Sequence, residues 1–565
     1  MTKGYFTFVL HSHLPWVLGH GRWPHGTDWL NEAIAECYIP LLNKIIQLAD
    51  EGYHPRLNIG ITPILQEQLR SPILINEFEY YLKNKIEAAD NDIKEFSKKG
   101  QKTFLQIAMM WRDYYLRISE DFKNKFKKDL LKSFSQLQKQ GYIEIMTSAA
   151  THGYLPLLKN DRSVDAQINL GVQVYKKNFG QAPNGIWLPE CAYRPSYKWT
   201  PPVGADKTSY NRKGVDEFLS KHNLEYFIID SHLLKGGKAI GVYLARFKAL
   251  KNLWQHFEKE FVEIKEDFEK SPYEVYLVSS NFQIKPVAVF SRDPETALQV
   301  WSGDSGYPGE AQYLDFHKKK FPGGLRYWCV TDPKIDLALK EIYNPDVVED
   351  RVKTHARHFV SLVKKITTQY YEKKKRPIVI CTPFDTELFG HWWFEGPNWL
   401  YYVLKFIEQD KEIELATGKT VLENLEHDKI ISLPEGSWGE GGFHYIWLNQ
   451  LNDWTWNRIY EAEDEFYSLY DKFADSRNEK ALRILKQLSR ELLLLQSSDW
   501  QFLISTLSAR DYAELRFRSH FENFKQLARM LKKEKIEPDK INFLKDLETQ
   551  DNCFEDLDLS IFKRK

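Results

Sequence analysis

The 565-residue sequence has no apolar run of 18 residues, so it predicts no membrane-spanning helix. Cysteine is scarce, at five residues: Cys37, Cys191, Cys329, Cys381 and Cys553. They form no CxxC pair and no dense framework, which argues against a disulfide-stapled fold and against structural zinc. An excess of either charge is also missing. The 78 Lys plus Arg balance 78 Asp plus Glu, whereas a nucleic-acid-binding protein usually carries a basic excess. The N-terminus, MTKGYFTFVLHSHLPWV, lacks a small-residue cleavage site and is interrupted by His11 and His13, so it does not read as a signal peptide. There is no internal repeat and no low-complexity tail. These absences predict a soluble, cytoplasmic protein with neither a membrane nor a nucleic-acid partner.

What is abundant is aromatic. Phe, Trp and Tyr make up 14% of the chain, with 17 Trp and 30 Tyr, enough for a ring-rich core, for stacking platforms, or for both. The length calls for two or three domains, one of which can be a large α/β barrel. Short β-rich runs recur at 5–10, 56–61, 142–147, 185–189, 226–230, 287–290 and 377–385. Amphipathic helical patterns, such as 31–50 and 164–178, separate most of them. This alternation predicts parallel β/α units closing into a barrel. Residues 64–140 read as a charged helical insertion after the second strand, and 248–275 as a second one. Residues 372–377, EKKKRP, read as a helix C-terminus rather than a localisation signal. From 411 to the end the pattern turns helical, with predicted helices at 455–473, 479–495 and 509–533. The expected division is 1–63 with 141–410 for the barrel, 64–140 for the insertion and 411–565 for a helical C-terminal domain.

Ionisable residues follow six of the seven runs: His11 and His13, His152, Glu190, Asp230 and His232, Arg292 and Asp293, and Asp385 with Glu387. In a parallel barrel all strand C-termini open on one face, where catalytic groups gather. Glu190 in GIWLPECAYRP and Asp385 in TPFD each end an apolar strand beside a proline. Two carboxyls on one rim are what cleavage of a glycosidic bond needs, one attacking the anomeric carbon while the other protonates the leaving oxygen. His11-Ser12-His13 leaves three readings open. It can ligate a metal with His152 and Asp385, as in a metal-dependent amidohydrolase or deacetylase. It can bond sugar hydroxyls, or it can serve the turn. Trp438 and Trp447, in and beside the glycine-rich segment SWGEGG, offer ring faces suited to pyranose rings. Trp454 and Trp456 read instead as packing between barrel and bundle. KGGKAIG, at 235–241, lacks the Ser or Thr of a phosphate loop.

HSHLPWV, EIMTSAATHGYLPLL, GIWLPECAYRP, TPFDTELFGHWWFEGP and LPEGSWGEGGFHYIWLN occur in this order. They resemble the signature regions of glycoside hydrolase family 57, and within it the members that branch α-1,4-glucans. The resemblance spans nearly the whole chain and reaches QSSDWQFLIST in the helical tail. It implies a distorted (β/α)7 barrel with a helical insertion and a C-terminal α-helical domain. It also implies a retaining mechanism without a metal or other cofactor, which demotes the metal reading of the histidines. Glu190 matches the nucleophile and Asp385 the general acid/base. His11, His13 and His152 match residues around the glycosyl-enzyme. Trp29, Arg292, Trp301, Trp438 and Trp447 match substrate-contacting positions, and Tyr243 a residue on a covering loop. The longer charged segment after Tyr243 departs from the family pattern. The implied activity is transfer of an α-1,4-glucan chain to a 6-hydroxyl, by a monomer using α-glucan (amylose or glycogen) as donor and acceptor. A mainly hydrolytic α-amylase or a 4-α-glucanotransferase of the same family is the alternative.

Overall fold

A computed structural model describes residues 2–235, 249–250, 253, 269–302, 306–533 and 538–564. Its strands are β1 (Gly4–Ser12), β2 (Leu57–Ile61), β3 (Ile143–Ser148), β4 (Gly185–Trp187), β5 (Tyr197–Trp199), β6 (Tyr210–Arg212), β7 (Tyr226–Ile229), β8 (Tyr276–Val278), β9 (Val287–Ser291), β10 (Ile378–Asp385), β11 (Ile413–Leu415) and β12 (Ile430–Ile431).

The main sheet runs β10-β1-β2-β3-β4-β7-β9, with every pair in this series parallel. A parallel bridge from Arg292 to Cys381 joins the end of β9 back to β10. Seven parallel strands thus curl into a ring that this single bridge closes: the runs predicted a closed or nearly closed barrel, and the resemblance a distorted (β/α)7 one. The strands read as unbroken apolar runs because helices cover their outer faces. In β1, for instance, Phe6, Phe8, Val9 and Leu10 are all buried. Phe8 packs with Phe384, Phe389 and Trp399, which ties β1 to β10 and to the helix Gly396–Glu408.

Five strands escaped the sequence reading; two of them, β5 and β6, form a separate antiparallel pair. β8 is antiparallel to β9, β12 pairs with β8, and β11 pairs with the first residues of β1. The expected division at 411 therefore falls just before a strand that joins the barrel sheet. The turn after β11 fills the barrel floor. Gly418 N donates to Asn58 Oδ1 at 3.0 Å and Lys419 N to Glu144 Oε2 at 2.9 Å. Asn58 in turn donates to the Tyr226 hydroxyl. A β-carbon on Gly418 would lie 2.4 Å from the Tyr226 ring, so only glycine fits there. With its floor filled, the barrel opens at the other end, where the strand C-termini lie.

Between β2 and β3 come the helices Pro63–Arg70, Pro72–Lys98, Lys102–Glu120 and Leu130–Lys139. Pro72 sits at the helix start, where its missing N–H costs nothing, and the Ser71 side chain accepts from Ile73 N. Most of the second charged insertion lies outside the described residues. The C-terminal helices are Asp453–Phe473, Glu479–Leu495, Asp499–Thr506, Arg510–Lys532 and Pro538–Gln550. Three of them follow the predicted spans to within two residues at each end. The other two, at 499–506 and 538–550, were not anticipated. Among the described residues no helix is long and apolar enough to cross a membrane.

Candidate active site

At the open end of the barrel lies a cleft of about 190 Å³. His11, His13, Trp29, His152, Glu190, Trp301, Asp385 and Trp438 line it, eight of the eleven residues singled out from the sequence.

Strand register assembles much of this wall. His11 lies within β1 and is the direct partner of Asp385, the last residue of β10. Glu190 follows β4 in a single turn that begins at Pro189. Its backbone is left-handed, with φ 61° and ψ 26°, and His152 after β3 has φ 57°. Each such conformation costs a non-glycine residue on the order of 1–2 kcal/mol. Two of them facing each other at a cleft mark a place where packing has been arranged to aim side chains. His152 Nδ1 is 3.9 Å from Glu190 Oε1.

Both oxygens of Glu190 accept hydrogen bonds. Trp438 Nε1 donates to Oε2 at 2.9 Å, and Ser498 Oγ donates to Oε1 at 3.1 Å. Burial raises the Glu190 carboxyl to about 8, with Asp385 and Asp499 adding to the rise, while the two donors oppose it. Ionisation of Glu190 is therefore easiest when Asp385 carries a proton. Glu387, two residues beyond Asp385, also lines the cleft. Burial raises it to about 7 against the donors Tyr38 Oη and His13 N.

The histidines form a stacked group. His11 lies on Trp187 with centroids 4.7 Å apart and planes 13° apart. Its Nε2 is 3.1 Å from His152 Nε2. Burial lowers the basicity of both rings well below the usual range, so both are neutral. His13 contacts Thr62 Oγ1 through Nδ1 and Asp499 Oδ2 through Nε2, each at 2.9 Å. His13, His152 and Asp499 each bring a ligand-type atom within 4.8 Å of the others. However, the His13 and His152 rings lie nearly parallel with centroids only 4.0 Å apart, which sets them face to face. A metal bound by imidazole lies in the ring plane along the nitrogen lone pair. One ion cannot lie in both of these planes, so the group does not fit a metal.

Three expected residues fall outside the cleft. Trp447 is fully buried, its ring stacked on Tyr154 at 4.8 Å, and it offers no face to a ligand. Trp456 Nε1 donates to the Trp447 carbonyl and holds the backbone there. Arg292 is buried behind Trp438, paired with Asp230, its guanidinium 5.9 Å from the Trp438 ring. Tyr243 lies outside the described residues.

The sequence reading gave no role to Ser498, Asp499, Phe502 and Leu503, which enter the site from the helical tail, nor to Leu14, Leu388 and Trp392. The one usable signal was the polar SSD run just before an apolar segment, the pattern of a helix start. A zipper of contacts places it. Gly153 bridges to Ser497, Ser498 N donates to the His152 carbonyl at 3.0 Å, and Thr151 Oγ1 donates to the Leu493 carbonyl.

Residues 7–434 match the model of glycosyl hydrolase family 57. Residues 458–562 match the model of the 1,4-alpha-glucan branching enzyme C-terminal region. The chain is 42% identical to a 1,4-alpha-glucan branching enzyme of Thermococcus kodakarensis over 556 residues, covering 98% of this chain and 77% of that one. The crystal structure of that family 57 branching enzyme superposes with a TM-score of 0.90 at 40% identity, over 100% of this chain and 97% of the other. A branching enzyme from Pyrococcus horikoshii gives 0.88 at 37%, with the same coverage. The alpha-amylase AmyC of Thermotoga maritima gives 0.81 at 30%, over 100% and 99%. The chain belongs to glycosyl hydrolase family 57.

Proposed function

We propose that this chain cleaves α-1,4 bonds of an α-glucan and transfers the released chain to a 6-hydroxyl, as a 1,4-α-glucan branching enzyme. One observation carries the reading. The cleft is built jointly by the segment that matches the glycosidase family and the segment that matches the branching-enzyme C-terminal region.

In this reading Asp385 donates its proton to the glycosidic oxygen as that bond breaks. A Glu190 oxygen attacks the anomeric carbon and forms a glycosyl ester. Trp438 and Ser498 hold the carboxylate in place for the attack. The 6-hydroxyl of an acceptor glucan then attacks the same carbon, Asp385 takes the hydroxyl proton, and Glu190 leaves. Two inversions give net retention. A single proton shared by the two carboxyls is what the first step requires, and the repulsion between their charges favours that state. His11, His13, His152, Trp29, Trp301 and Trp438 contact the donor sugar. The protein acts as a monomer in the cytoplasm, with α-glucan as both donor and acceptor.

The structural likeness to an α-amylase favours a second reading, in which water takes the glycosyl group. Proton NMR of amylose after incubation separates the two. New α-1,6 anomeric signals are expected, and reducing ends without them would establish the amylase. Glu190→Gln is expected to lower either rate by at least ~10³-fold with the fold intact.

A further inference from the structure

We infer that Ser498 is a positioning residue which closes a directed hydrogen-bond relay from His11 through His152 onto Glu190. The inference rests on Glu190 being the nucleophile.

Proton counting gives the relay its direction. In the reactive form, with the shared proton on Asp385 and Glu190 ionised, the carboxylate only accepts, so Ser498 Oγ–H points to Glu190 Oε1 at 3.1 Å. The hydroxyl has one proton, so at its 2.8 Å contact with His152 Nδ1 it must accept. His152 therefore carries its proton on Nδ1 and presents a lone pair at Nε2. The 3.1 Å contact there requires the proton to sit on His11 Nε2. His11 Nδ1 is left as a bare acceptor, buried and without a hydrogen-bond partner among the described residues. Three bonds thus point the same way and end on the carboxylate. Such a chain polarises cooperatively in a low-dielectric site.

The relay is rigid at each joint. His11 lies flat on Trp187, and His152 is clasped at its carbonyl by Ser498 N. Thr151 and Gly153, either side of His152, bond to Leu493 and Ser497. Ser498 is therefore fixed by the loop it serves, and the helical tail supplies a proton donor that no barrel strand provides.

The other groups facing Glu190 are Trp438, Asp385, Asp499 and His152, with Cys191 in its own turn and Tyr154 beyond His152. Asp385 and Asp499 oppose its ionisation, and Asp499 is itself paired with His13. Removing a donor to the ionised form makes Glu190 harder to ionise. The acid limb of the kcat/KM profile then moves to higher pH.

The test is the pH profile of amylose turnover by Ser498→Ala and Ser498→Thr. For Ser498→Ala the acid limb is expected to rise by about one pH unit, with the activity loss concentrated on the acid side. Ser498→Thr restores both. Ser498→Cys, which keeps the volume and weakens the donor, moves the limb the same way by less and reads the effect if the alanine variant does not fold. An equal loss at every pH, with the limb unmoved, overturns the relay. Active Glu190→Gln would instead remove the nucleophile reading. An inactive Glu190→Gln with an unmoved Ser498→Ala limb removes the relay alone.

Discussion

Trp438 and Glu190 are joined twice across 248 residues of sequence: the indole N–H donates to Oε2 at 2.9 Å, and the Trp438 backbone N–H donates to the Glu190 carbonyl at 3.1 Å. The second bond survives any substitution except proline. Trp438→Phe therefore keeps the loop attached while removing one donor to the carboxylate. A hydrogen bond to a charged group contributes about 1.5–3 kcal/mol. We expect kcat/KM to fall ~10- to 100-fold, with the acid limb raised. A variant with wild-type kcat/KM would show that the indole N–H does nothing for Glu190.

Glu395 predicts a pH dependence of stability. Its Oε1 accepts from Leu314 N and Tyr343 Oη, each at 3.0 Å, while Oε2 is buried with no hydrogen-bond partner. Burial raises the carboxyl to about 7. Its folded value lies above the unfolded value near 4.3, so its contribution is fully present below that value and is lost as pH rises through 7. Glu395→Gln keeps the accepting oxygen and removes the ionisation. Relative to wild type, the variant should gain roughly 3 kcal/mol of unfolding free energy between pH 4 and pH 8. Urea unfolding at the two pH values measures this, and parallel shifts of both proteins would refute it.

Gly390 shows where sterics alone dictate a residue. It has φ 117°, and a β-carbon there would sit 1.8 Å from the Glu36 carbonyl oxygen. The obstacle is backbone and cannot swing aside. Gly390→Ala should destabilise the protein by about 2–5 kcal/mol, from strain and overpacking together. Thermal melting tests this, and an unchanged melting temperature would contradict the packing.

The seven barrel strands were legible because strands buried on both faces leave uninterrupted apolar runs, and six of the seven end in something ionisable. β5, β6, β8, β11 and β12, of two or three residues each, were not. For Glu190 and Asp385 the strand-end position already singled them out. Trp447 misled because a tryptophan near a glycine-rich loop looks the same in sequence whether its ring faces the cleft or Tyr154. Ser498 was hidden for a different reason. Its part in the site depends on the contacts between residues 493–498 and 151–153, and nothing in either segment alone announces that pairing. Arg292, expected at the substrate, stands behind Trp438 and pairs with Asp230, a partner that sequence spacing does not reveal.

The zipper between the loop after β3 and the segment before Asp499 also sets a timetable for the growing chain. β1 lacks its β10 neighbour until residue 385 has been made, and an unpaired strand edge invites wrong partners. Glu190 lacks Ser498 for another hundred residues or so. A nascent or truncated chain therefore holds both carboxyls before it holds the donor that the helical tail brings. The arrangement around Glu190 is complete only after residue 498 has been made, so a copy that stops short of it lacks one donor to that carboxylate.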